Sequence, residues 1–170
     1  MDSAGNVYYG NYGFSPGSQA LYRFSPDKIS EALSTEKLLQ LTDATKLTDF
    51  DANGPYDVDV DTADHVVFNL NSGDQNGSGS SKIAVWNGEI GSGLNYDVIG
   101  DGAGAVRWYT MLATTGDIRQ AGGTVYVNDY FSPGIAQLTA TPEPSTFILA
   151  SIAGLTAAAY AYRRRVFRTK

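Results

Sequence analysis

The feature that most limits what this chain can become is an internal repeat. "GNVYYGNY" from Gly5, "DHVVFNLN" from Asp64 and "GTVYVNDY" from Gly123 superimpose, with Val7, Val66 and Val125 spaced 59 residues apart both times. Each is followed by a second short run of strand character: "ALYRF" from Ala20, "KIAVW" from Lys82 and "GIAQL" from Gly134. Alternation such as Val58 and Val60, then Val66, Phe68 and Leu70, predicts half-buried antiparallel strands. Two of the three units are preceded by an Asp and a β-branched residue, Asp57-Val58 and Asp117-Ile118. The unit reads strand, turn, strand, loop, strand, a module that buries its apolar surface on its neighbours.

The connecting stretches are rich in Gly, Ser, Asn and Pro, and 19 glycines with 11 tyrosines suit short strands joined by many turns. "SPDKISEALSTEKLLQL" from Ser25 allows a short helical turn within an inter-strand excursion, with Ser25 as N-cap and Pro26 at the first position. With no cysteine, a disulfide framework and a thiolate metal site are both excluded.

The units resemble NHL-type and related β-propeller blades, in which an Asp-hydrophobic pair opens the inner strand and a segment like "GNVYY" forms the next. The resemblance runs over Met1 to Ala140. It implies an all-β, partial β-propeller-like repeat domain of about two and a half blades, where a closed ring needs ~4 to 8. A β-sandwich with coincidental repeats is the other architecture this pattern allows. The first unit starts at its glycine turn, without the inner strand of the other two. On the propeller reading, blades are missing upstream, and open strand edges favour self-association.

The end of the chain has a different character. Nineteen consecutive residues, Pro144 to Tyr162, carry no charge, and Phe147 to Tyr162 is almost wholly apolar or small. As a helix this segment reaches ~28 Å, close to the ~30 Å hydrocarbon core of a bilayer. Ile148, Leu149, Ile152, Leu155, Ala157, Ala158 and Ala159 cover every face, as lipid surroundings demand. A transmembrane helix over 145–162 is therefore expected, with Tyr160 and Tyr162 at the interface and a basic end, 163–170, on the cytoplasmic side. Pro142-Glu143-Pro144-Ser145, the apolar run and then Arg163-Arg164-Arg165 together resemble the PEP-CTERM sorting signal of exported bacterial proteins. That resemblance divides the chain into an ectodomain, 1–140, and a sorting signal, 141–170. It implies export by the Sec machinery, a transient anchor in the inner membrane with 1–140 outside, and processing by an exosortase near the Pro-Glu-Pro motif. The destination is then the cell surface or the extracellular matrix. "MDSAGNVYYGNYG" lacks both a basic n-region and an apolar h-region, so a longer protein or an upstream start is expected.

Residues 1–140 carry 7 Lys and Arg against 17 Asp and Glu. Such a surface repels phosphate backbones and excludes nucleic acid as a partner, while cations suit it. "DFDANGPYDVDVD" places Asp49, Asp51, Asn53 and Asp57 around Gly54, a pattern of oxygen ligands at alternate positions that suits calcium. It resembles the EF-hand loop and, more closely, the "DFDGDG" loop of FG-GAP propeller repeats. On that reading the four side chains and a carbonyl near Pro55 hold the ion. The alternative is an acidic turn that caps its own backbone. Val60 stands where an EF-hand needs a bidentate Glu, and neither other unit carries the loop.

His65 is the sole histidine, and no nucleophile motif accompanies it. "GDGAGAV" from Gly100 lacks the Lys and the strand-to-helix context of a phosphate loop and reads as a plain loop. Trp86, Trp108 and the tyrosines suit either a β core or sugar-stacking platforms. The favoured expectation is a non-enzymatic surface or matrix protein that binds polysaccharide or protein. A propeller enzyme of metal-dependent lactonase or lyase type, with catalytic groups on missing blades, and a purely structural repeat protein are the alternatives.

Overall fold

A computed structural model describes residues 1–12, 19–51, 54–72, 80–101, 109–130 and 135–139. The expected transmembrane helix and the whole sorting signal lie outside these residues. Among the described residues no helix is long and apolar enough to cross a membrane.

The described chain is mostly β, in three antiparallel sheets that follow one another in sequence. The first holds β1 (Val7–Asn11), β2 (Ala20–Phe24) and β3 (Thr45–Asp49), in that order. The second holds β4 (Val58–Val60), β5 (Val66–Ser72), β6 (Ser80–Trp86) and β7 (Tyr96–Asp101). The third holds β8 (Tyr109–Thr115), β9 (Thr124–Asp129) and β10 (Ile135–Thr139). Each is a meander in which every strand pairs with the next along the chain.

The 59-residue period is a period of structure. Val7, Val66 and Val125 fall at the starts of β1, β5 and β9, and the second runs form β2, β6 and β10. The turn ahead of each also repeats, since the N–H groups of Gly5, Asp64 and Gly123 donate to the carbonyls of Asp2, Asp61 and Gln120. Gly5 and Asp64 take φ of 84° and 64°, left-handed backbone that glycine adopts freely and aspartate tolerates. The expected parallel between the two Asp-hydrophobic pairs holds only once. Asp57-Val58 leads into β4, whereas Asp117-Ile118 lies beyond β8, because the β8–β9 connection spans 116–123 while the β4–β5 one spans 61–65.

The second sheet sits between the other two, so β5 is buried on both faces instead of one. Val66, Phe68 and Leu70 join Leu21, Leu47 and Phe50 of the first unit. On the other face Val67, with Ile83 and Val85, packs on Tyr109, Leu112, Ile118, Val125 and Val127. Asn69 and Asn71 share that second face, and both amides donate to the carbonyl of Tyr109, Asn71 at 2.8 Å. Ser81 donates to Asn71 and accepts the Tyr109 N–H at 3.0 Å, so the polar atoms of this core are matched to one another.

The excursion after β2 contains a full helix, α1 (Pro26–Thr35), capped where Ser25 accepts the Lys28 N–H at 3.4 Å and ended by Glu36 in left-handed backbone. It exceeds the single turn expected because Ala, Leu, Lys and Glu follow the cap before any breaker. Trp86 packs on the core between the first two sheets and donates its indole N–H to the Glu89 carbonyl at 2.6 Å, a core role. Trp108 lies outside the described residues.

Phe68 is fully buried and contacts Phe50 and Tyr96 with ring centroids 5.3 and 5.7 Å away. Phe68→Ala is expected to cost about 3–5 kcal/mol, read as a lower urea midpoint with an unchanged slope.

Candidate functional site

The polar chemistry of the described chain concentrates where β4 meets β8, each the first strand of its sheet. An edge strand presents N–H groups that no ladder satisfies. Here they are met by aspartates at alternate positions, which the two-residue side-chain period points one way. Asp57 accepts the Val58 N–H on one oxygen and the Leu112 N–H on the other, both at 2.9 Å. Asp59 repeats the arrangement with Val60 N–H at 2.8 Å, and with the N–H and hydroxyl of Thr114 at 2.7 and 2.9 Å. Two carboxylates thus bridge the open edges of two sheets with charge-assisted hydrogen bonds.

Asp61 completes the series, and its side chain is entirely buried. One oxygen accepts the N–H groups of Ala63 and His65 at 2.8 and 2.9 Å; the other accepts the Ile118 N–H at 2.8 Å and faces His65 Nδ1 at 2.9 Å. Burial works against ionisation most strongly. The bonds from Ile118, from the His65 ring and from the His65 and Ala63 backbone together outweigh it and hold the Asp61 carboxyl below its usual 3.8. Asp117 Oδ1 reaches the same ring nitrogen at 3.3 Å. The His65 and Asp117 side chains are 28% and 26% exposed, so this Asp61–His65–Asp117 group opens to solvent on one side.

Among the described residues these three are the only grouping of three His, Cys, Asp or Glu side chains with ligand atoms close enough to share a cation, all within 4.8 Å of one another. The sequence reading missed it. Asp61 stands four residues before the lone histidine, a spacing the hairpin closes, but Asp117 comes from the next sheet and no local pattern announces it.

Three of the four residues expected to hold calcium, Asp49, Asp51 and Asp57, are among the described residues. Asp49 pairs with Lys46 Nζ at 2.5 Å and accepts the Gly93 N–H at 3.0 Å, and the Lys46 bond holds its carboxyl below the usual range. Asp51 accepts the Tyr96 hydroxyl at 2.6 Å; burial, then that hydrogen bond, raise the Tyr96 phenol above its ordinary value. Asp57 belongs to the seam with β8. The three described carboxylates therefore serve three separate partners, and Asn53 lies outside the described residues. Gly100 and Asp101 end β7, and the rest of "GDGAGAV" also lies outside them.

No family model matches the chain, and neither a curated protein nor a solved structure shows a match.

Ionised Asp61 stabilises the fold fully above the unfolded-state value near 3.8, and that contribution is lost as pH falls through the lower folded-state value. Asp61→Asn is expected to cost about 2–4 kcal/mol at neutral pH, since one N–H set loses its acceptor. The gap to the wild type should narrow below pH 4 in urea titrations across the acid range.

Proposed function

We propose that this chain is an exported surface or matrix protein whose C-terminal segment is a sorting signal of PEP-CTERM type, read by an exosortase after Sec export. The observation that carries the reading is the order of the tail: Pro142-Glu143-Pro144-Ser145, an uncharged run to Tyr162, then Arg163-Arg164-Arg165. Proline disfavours helical backbone in the residue before it, which suits a segment that a processing enzyme must reach. The apolar run fits the bilayer, and the arginines fix its orientation.

On this reading residues 1–140 form a propeller-like module, with the three sheets as successive blades and β4 and β8 as neighbouring inner strands. Support comes from the 59-residue period, the meander order within each sheet, and the direct approach of β4 to β8 through Asp57 and Asp59. The module acts by binding, not by catalysis. Its acidic surface suits neutral polysaccharide or a basic protein partner, and the seam aspartates that hold its sheets together are unavailable for acid–base work.

Expressed behind a secretory signal in a bacterium that carries an exosortase, the chain is expected to leave the membrane fraction as a shorter species cleaved near Pro144. Pro142→Ala/Pro144→Ala should remain full length and membrane-bound. Identical masses for the two proteins, or identical processing in a strain without the exosortase, would overturn the reading.

A further inference from the structure

We infer that Asp61, His65 and Asp117 form a binding site for a divalent cation of zinc type, which ties the β4–β5 turn to the β8–β9 turn. Two carboxylates approach a single ring nitrogen, at 2.9 and 3.3 Å. One N–H cannot satisfy two anions equally, and Asp61 Oδ2 already has a donor in Ile118 N–H. The guanidinium of Arg119, two residues beyond Asp117, is turned away to Asp97 at 3.0 Å. Its backbone N–H, not its charge, reaches Asp117, at 2.9 Å. Both carboxylates thus face the ring with backbone N–H donors behind them and the Arg119 guanidinium directed elsewhere.

The spacing suits a small cation. Ligand atoms ~2.0–2.2 Å from zinc in tetrahedral geometry lie ~3.3–3.5 Å from one another; the two carboxylates stand 2.9 and 3.3 Å from Nδ1, and all three ligand atoms lie within 4.8 Å of one another, so small side-chain shifts bring them to an ion. One imidazole and two carboxylates are a borderline donor set that zinc accepts and that calcium, which takes oxygen ligands, does not favour. Ile118 N–H on Asp61 and Arg119 N–H on Asp117 remain in place as the outer hydrogen bonds that orient carboxylate ligands. Three protein ligands leave a fourth position for water on the side where His65 and Asp117 are partly exposed. Zinc takes the Nδ1 lone pair, so in the bound form the ring proton stands on Nε2.

The lone histidine makes the test unambiguous. In the full chain in detergent micelles, one equivalent of zinc is expected to displace the His65 Nδ1 resonance in long-range nitrogen–proton spectra and leave Nε2 protonated. Competition with a chromophoric chelator should give one tight site, lost in His65→Gln and weakened at least about tenfold in Asp117→Asn. Both substitutions fall at partly exposed positions, and far-UV dichroism checks their folds. An Nδ1 signal unmoved by excess zinc, or equal affinity in wild type and both variants, would overturn the site and leave a histidine–carboxylate cluster alone.

Discussion

The arrangement depends on how the open edges of β4 and β8 are satisfied. Each strand begins a sheet, so each has N–H groups with no partner in its own ladder. Water could satisfy them, but then the two sheets could not meet edge to edge. Asp57 and Asp59 solve both problems at once, because each carboxylate has two oxygens and each oxygen serves a different sheet. The cost of bringing charge into the seam is offset by two or three donors per carboxylate, the condition under which partly buried anions are tolerated.

The second sheet, held on both sides, illustrates a different balance. Its face toward the first sheet is apolar from Val66 through Phe68 to Leu70. Its face toward the third mixes Val67 with Asn69 and Asn71, whose amides converge on one carbonyl. A purely apolar layer would fit a range of registers; an amide pair aimed at Tyr109 fits one. The hydrogen bonds of Asn69 reach further, since its Oδ1 also accepts the N–H groups of Tyr56 and Asp57 and steers the chain into β4.

Much of this was legible in advance. The Val7, Val66 and Val125 spacing marked three equivalent strands, and the runs that followed marked their partners, because strand alternation and turn residues are local signals. Burial on both faces of β5 was not legible: Asn69 and Asn71 read as solvent-facing until a neighbouring sheet supplies Tyr109. Nor was the role of "DVDVD". The sequence shows alternate aspartates, and only the approach of β8 shows that Asp57 and Asp59 bridge two sheets. His65 stood out as a residue, but its partnership with Asp117 needed the third sheet folded back onto the second, a contact 52 residues apart in sequence that no short pattern encodes.

The units share a period without being interchangeable, and Gly10 makes the difference concrete. It occupies the position of Asn69 and Asn128 in the other two units. A Cβ at Gly10 would come within 2.0 Å of Cγ of Pro55, so the proline ring fills the space that an amide takes in the next sheet. A consensus sequence averaged over the three units would write Asn at this position and wedge the first sheet away from the second. Anyone shuffling or duplicating these modules would have to move Gly10 and Pro55 as a pair, a lock and key divided between adjacent units.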